Sequence, residues 1–139
     1  MKVVGLDLGT ARVGVAASDT SGAVATPREV LPRTGDPAAD RAAIVRAVEE
    51  LEAELVIVGL PLSLDGSMGP AARAAAAEAE ALRAVLSVPV ETYDERLTTV
   101  TADRSLKELR VKGRARRRVV DQVAAAVMLQ AWLDHNRAR

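Results

Sequence analysis

Asp7 lies in an otherwise apolar stretch, Val3-Val4-Gly5-Leu6-Asp7-Leu8-Gly9. A carboxylate there is costly to bury unless a metal ion or another partner uses its charge. Glu95, with Asp94 beside it, falls at the carboxyl end of the expected fifth strand, the rim where open α/β sheets place ligands. Asp121 shares a helical face with Ala124, Ala125, Met128, Leu129 and Trp132, which puts it on the apolar, sheet-facing side of the last helix. Taken singly, each has a structural explanation: Asp7 as a brace for the turn at Gly9, Glu95 as a helix cap or partner of Arg96, Asp121 as an N-cap. Together they read as a metal-dependent active site.

Ligand sets made of oxygen alone suit hard cations, Mg²⁺ or Mn²⁺. Two such ions about 3.5–4 Å apart stabilise both the attacking and the leaving oxygen of a phosphodiester displacement. Thiolate chemistry is ruled out because the chain has no cysteine. The only histidine, His135, stands four residues from the C-terminus and is a poor catalytic candidate.

A nucleic-acid substrate is consistent with the charge distribution. Net charge is zero, yet eight basic residues lie between Arg104 and Arg118 against Glu108 alone. That run directly precedes the helix of Asp121, so Arg114, Arg116, Arg117 and Arg118 are expected to contact phosphates. At Gly9-Thr10 the turn is small enough for a phosphate backbone to approach, with Thr10 as a donor. Gly59–Ser67 lies on the same rim, with Asp65-Gly66 as a turn. Tyr93 and Trp132 are the only aromatics, which disfavours binding of single strands by base stacking. The longest apolar run, Leu55–Leu64, is too short to cross a bilayer and contains Pro61. Asp7 also breaks any early signal-like stretch, so a cytoplasmic protein with no membrane partner is expected.

The elements that must position these groups follow from periodicity. Strands are expected at Lys2–Leu8, Arg12–Ser18 and about Val24–Leu31, the last an edge or bulged strand because Pro27 cannot donate to a ladder. A helix from about Pro37, capped by Asp36, carries Ile44, Val45, Val48 and Leu51. The continuous apolar strand Leu55–Gly59 reads as parallel and covered on both faces. An alanine-rich helix over about Pro70–Leu86, a strand over Val88–Tyr93 and helices over about Thr98–Leu109 and Arg117–Asn136 complete the order. Three meandering strands and two crossovers make a five-stranded mixed sheet with helices on both faces, an α/β ribonuclease H-like fold, with residues 1–139 forming one nuclease domain. If the strand order is 3-2-1-4-5, the fifth strand stands about 9–10 Å from the first. Glu95 must then reach across, or Asp94 or a substrate-bound metal must fill the gap.

The chain resembles the YqgF/RuvX family of pre-16S rRNA nucleases, also described as Holliday-junction-resolvase-like. The resemblance rests on Gly5-Leu6-Asp7-Leu8-Gly9-Thr10 with Arg12-Val13-Gly14-Val15-Ala16, on Val58-Gly59-Leu60-Pro61 with Asp65-Gly66, on Asp94-Glu95-Arg96-Leu97-Thr98-Thr99, and on Asp121 with Ala124-Ala125. It implies Mg²⁺-dependent phosphodiester hydrolysis that matures the 5′ end of 16S rRNA, with Asp7, Glu95 and Asp121 as the acidic triad and metal ligands. Arg12 and Arg96, inside those motifs, join Thr10 and the arginine run as expected nucleic-acid contacts. Structured rRNA precursor and branched DNA are the candidate substrates, and a junction resolvase would be a two-fold homodimer. Two other readings compete: a resolvase-like DNA nuclease, and a non-catalytic RNA-binding assembly factor. An actin-like ATPase would also use Asp-x-Gly-Thr, but it needs a second lobe that 139 residues do not provide.

Overall fold

A computed structural model of the chain describes residues 1–97 and 113–137, with side chains in the last helix described from 123 to 136. The elements run β1 (Val3–Leu8), β2 (Arg12–Ser18), β3 (Ala25–Pro32), α1 (Pro37–Glu50), β4 (Leu55–Leu60), α2 (Pro70–Val85), β5 (Val90–Asp94), a single 3₁₀ turn (Glu95–Leu97) and α3 (Gly113–Arg137). The sheet order is β3-β2-β1-β4-β5. β1, β2 and β3 pair antiparallel, while β4 and β5 add parallel to β1. This is the expected mixed sheet.

Alternation along the strands sorts the residues between two cores. Val4 and Leu6 of β1, Val13 and Val15 of β2, and Val56 and Val58 of β4 face α1 and α2, meeting Ile44, Val48 and Leu82. Val3, Ala16, Leu55 and Ile57 face the other way, against Ala125, Met128, Leu129 and Trp132 of α3. β4 is therefore buried on both faces, which explains its unbroken apolar sequence. Pro27 lies on edge strand β3, where the register shifts opposite Val15 and Ala16. Asp36 caps α1 by accepting from the Ala38 amide at 3.1 Å, and Pro37 and Pro70 occupy first-turn positions that need no amide donor.

Two boundaries differ from expectation. β5 begins at Val90, because Pro89 has no amide to donate and its carbonyl instead accepts from Val56. α3 begins at Gly113, four residues before the expected start at Arg117, so Arg114 and Arg116 join Arg117 and Arg118 in its first turns. Arginine and alanine are good helix formers, and a charge run carries no apolar period to betray the helix. The helix expected over Thr98–Leu109 lies outside the described residues. Among the described residues, no helix is long and apolar enough to cross a membrane.

Candidate active site

Gly5 and Asp7 share the β1 face that meets α3. A Cβ at Gly5 would stand 2.9 Å from Leu129 Cβ and 3.4 Å from the Ala125 carbonyl oxygen, so the helix sits directly on the strand. Asp7 is the next residue on that face, at the carboxyl end of β1. The β1–β4 register pairs Leu6 with Val58, and one step further brings Asp7 beside Gly59. Gly59 is in turn paired with Tyr93 of β5. Glu95 follows two residues later, in the 3₁₀ turn.

Here the two-strand gap closes. The Glu95 side chain lies over Gly59, where an added Cβ would stand 2.9 Å from both Cγ and Cδ and closer still to Oε1. The missing side chain leaves a trough across β4, and through it Glu95 forms a hydrogen bond with Asp7. Two carboxyls that share a hydrogen bond must hold a proton between them. Burial is the main reason the Glu95 pKa rises to about 8, followed by the charge of Asp7, their hydrogen bond and the charge of Asp94.

Asp94 has a different partner. Arg96 donates from Nε and Nη2 to its carboxylate, at 2.9 and 2.6 Å to Oδ2, and these bonds hold the Asp94 pKa below the usual range. Arg96 Nη1 also donates to the Leu64 carbonyl at 3.2 Å, tying the 61–69 loop to the rim. In that loop Gly66 has φ 88°, and its amide donates to the Ser63 carbonyl, forming the expected turn. Asp65 accepts from the Ser67 amide at 2.9 Å. Leu64, at the loop tip, is 96% exposed.

The remaining expected residues are placed as follows. Thr10 is exposed in the turn after Asp7. Arg12 is half-buried on β2, on the same sheet face as Ala16 and therefore as Asp7. Asp121 and the arginines at 114, 116, 117 and 118 lie in the first turns of α3, with side chains outside the described residues. Among the described residues no three metal-ligating side chains cluster, so Asp7 and Glu95 are the pair the structure brings together. That pair offers only hard oxygen donors, one of them lying in a cradle that any larger residue at Gly59 would fill. The donor set fits a divalent cation. His135 packs edge-on to Tyr93, with Nδ1 3.4 Å from the phenol oxygen, which links β5 to α3.

Two features escaped sequence reasoning. Gly59 reads in the sequence as part of a strand and loop, and its one local signal is that a glycine inside a buried strand marks close approach. Arg33 donates to Glu78 through both terminal nitrogens, at 2.7 and 2.9 Å, and from Nε to the Gly9 carbonyl at 3.1 Å. It thereby braces the turn after Asp7 from α2. No local pattern announces a pair 45 residues apart.

The family model described as "RuvX: Holliday junction resolvase" matches residues 1–135. A protein of Rhodococcus erythropolis named "Putative pre-16S rRNA nuclease" is 50% identical over 135 residues, covering 94% of this chain and 76% of its own length. One from Myxococcus xanthus with the same name is 47% identical, covering 99% and 90%. Among solved structures, Thermus thermophilus RuvC in complex with a Holliday junction substrate superposes with a TM-score of 0.60 at 14% identity, covering 98% of this chain and 96% of that one. At that identity the likeness bears on the fold.

Proposed function

We propose that this chain, which belongs to the RuvX family of Holliday junction resolvases, is a divalent-metal-dependent endonuclease that processes the 5′ end of pre-16S rRNA. The carrying observation is the carboxyl pair Asp7–Glu95, joined across Gly59 at the carboxyl rim of a mixed sheet. A bound Mg²⁺ or Mn²⁺ supplies charge neutralisation at the phosphate and acidification of a water nucleophile.

The chain's own residues do the rest. Asp7 and Glu95 hold the cation, and Glu95 must release its proton to do so. Asp121 is the third carboxylate of this reading. It stands one helical turn before Ala125, whose carbonyl faces Gly5, and Gly5 lies one alternation before Asp7 on the same face. Thr10 donates to a phosphate oxygen beside the scissile bond. Arg12, at the start of β2, and Arg96, in the 3₁₀ turn after β5, add phosphate contacts beside the carboxyl pair. Arg114, Arg116, Arg117 and Arg118 draw in the phosphate backbone from the start of α3, where the helix dipole adds to their charge. The single domain spans residues 1–139 and works in the cytoplasm, where rRNA is matured.

A branched DNA junction is the second substrate, favoured by the family description and calling for a homodimer matched to a two-fold junction. Incubating the protein and Mg²⁺ with a labelled pre-16S rRNA fragment and a four-way DNA junction separates the two. Preferential cleavage of the rRNA at its 5′ boundary supports the first reading, and paired symmetric nicks in the junction support the second. Binding of RNA with no cleavage of either would instead favour an assembly factor.

A further inference from the structure

Behind the turn that follows Asp7, on the opposite side of the sheet from α3, α1 and α2 enclose a cavity of about 510 Å³. That volume suits a small ligand. Its far wall is made of alanines on α2, Ala71, Ala74 and Ala77 among them, whose short side chains leave the space open. Gly9 and Thr10 form its edge nearest the active site, so the cavity and the carboxyl pair lie either side of one turn.

The charges in this cavity are unequally engaged. Glu78 is held through both oxygens by Arg33, and Asp40 Oδ1 accepts from the Thr34 amide and hydroxyl at 2.9 and 2.8 Å. Arg41 also lines the cavity, and its Nε is buried with no hydrogen-bond acceptor among the described residues. A buried guanidinium donor left unmatched is costly, and an anion supplied from outside relieves that cost. The N-terminus of α1, with Pro37 at its first position and Gly35 just ahead of its cap, opens on the same space and adds the positive end of a helix dipole.

We infer that this cavity takes a nucleotide of the substrate strand adjoining the scissile phosphate, with its phosphate on Arg41 and its sugar and base against the alanine wall of α2. The inference rests on the nuclease reading and adds a subsite to it. A strand that crosses the Gly9-Thr10 turn from Asp7 arrives at this cavity directly, and Thr10 is exposed at the crossing. A free nucleotide presents the same chemistry, so the test must tell the two apart.

The experiment measures binding rather than cleavage. Asp7→Asn protein in EDTA is titrated with a short labelled oligoribonucleotide and with adenosine 5′-monophosphate, alone and combined with Arg41→Gln or Ala74→Leu. Arg41→Gln removes the charge. Ala74→Leu fills the cavity from an exposed helix position, so folding survives, as thermal melting will verify. Both are expected to weaken oligonucleotide binding about tenfold, and Arg41→Gln to lower the salt slope by about 0.7–0.9. Loss of mononucleotide binding alone, with oligonucleotide affinity intact, would overturn the strand assignment in favour of a free-nucleotide site. Wild-type-like binding of both ligands in both variants would overturn the subsite altogether. Failure of the nuclease reading would appear elsewhere, as RNA binding by the wild type with Mg²⁺ present and no cleavage.

Discussion

Glu95 crosses an entire strand to reach Asp7, and it does so over Gly59, the one position on its path that has no side chain to block it. Gly59→Ala is therefore expected to push the Glu95 carboxyl out of its trough. Displacements of about 1 Å at a reacting centre cost about a hundredfold, so cleavage should fall by one to two orders of magnitude. Mg²⁺ affinity, read by calorimetry, should fall with it while the melting temperature changes little. Unaltered metal binding in this variant would mean that Glu95 does not need the trough.

The same proximity makes stability depend on pH. The Glu95 pKa stands at about 8 in the folded chain against an ordinary 4.5, raised first by burial and then by Asp7. Folding therefore takes up a proton. In metal-free protein this contribution is complete below about 4.5 and is lost as pH rises through about 8. Asp94, with its pKa lowered by Arg96, acts in the opposite sense and weakens the protein only in acid. Melting curves of wild type and Glu95→Gln, in EDTA between pH 5 and 9, isolate the Glu95 part. Wild type should lose stability relative to the variant over that range, and Mg²⁺ should reduce the loss. Parallel curves would contradict the pairing.

Close seating of α3 on β1 depends on Gly5. Gly5→Ala places a carbon 2.9 Å from Leu129 Cβ, between two backbones that cannot easily part. Overpacking of this kind costs about 1–3 kcal/mol. Chemical denaturation should show that loss, and cleavage should decline because the helix carrying Asp121 is shifted. Unchanged stability would mean that α3 is more loosely held than its packing implies.

Arg116→Ala combined with Arg117→Ala should weaken nucleic-acid binding at low salt and flatten its salt dependence by up to about 1.8. Both residues lie in the first turns of α3, near the proposed third carboxylate. Affinity measured at several salt concentrations gives the slope directly. An unaltered slope would show that this end of the helix is only a solvated face.

The sequence made some elements plain and hid others for physical reasons. Pro27 identified an edge strand, Asp36 a cap and the run Leu55–Gly59 a doubly buried strand, because each signal is local. Asp7 stood out because a carboxylate is conspicuous among valines and leucines. Glu95 is a candidate from its place at a strand end, but its path to Asp7 is not legible, since the trough at Gly59 exists only once β1, β4 and β5 are in register. The brace from Arg33 to Glu78 and the cavity beside Arg41 likewise arise from packing between elements distant in sequence. The start of α3 was misplaced because four arginines in five residues resemble a linker when no apolar spacing marks a helix.

A metal site built on Asp7 and Glu95 is tested by cleavage of a labelled pre-16S rRNA fragment by wild type, Asp7→Asn and Glu95→Gln, each with Mg²⁺ and with EDTA. Cleavage is expected of wild type with Mg²⁺ only, with a loss of at least a hundredfold in either variant and RNA binding retained. Cleavage by either variant at the wild-type rate, or cleavage in EDTA, would contradict a metal site built on Asp7 and Glu95.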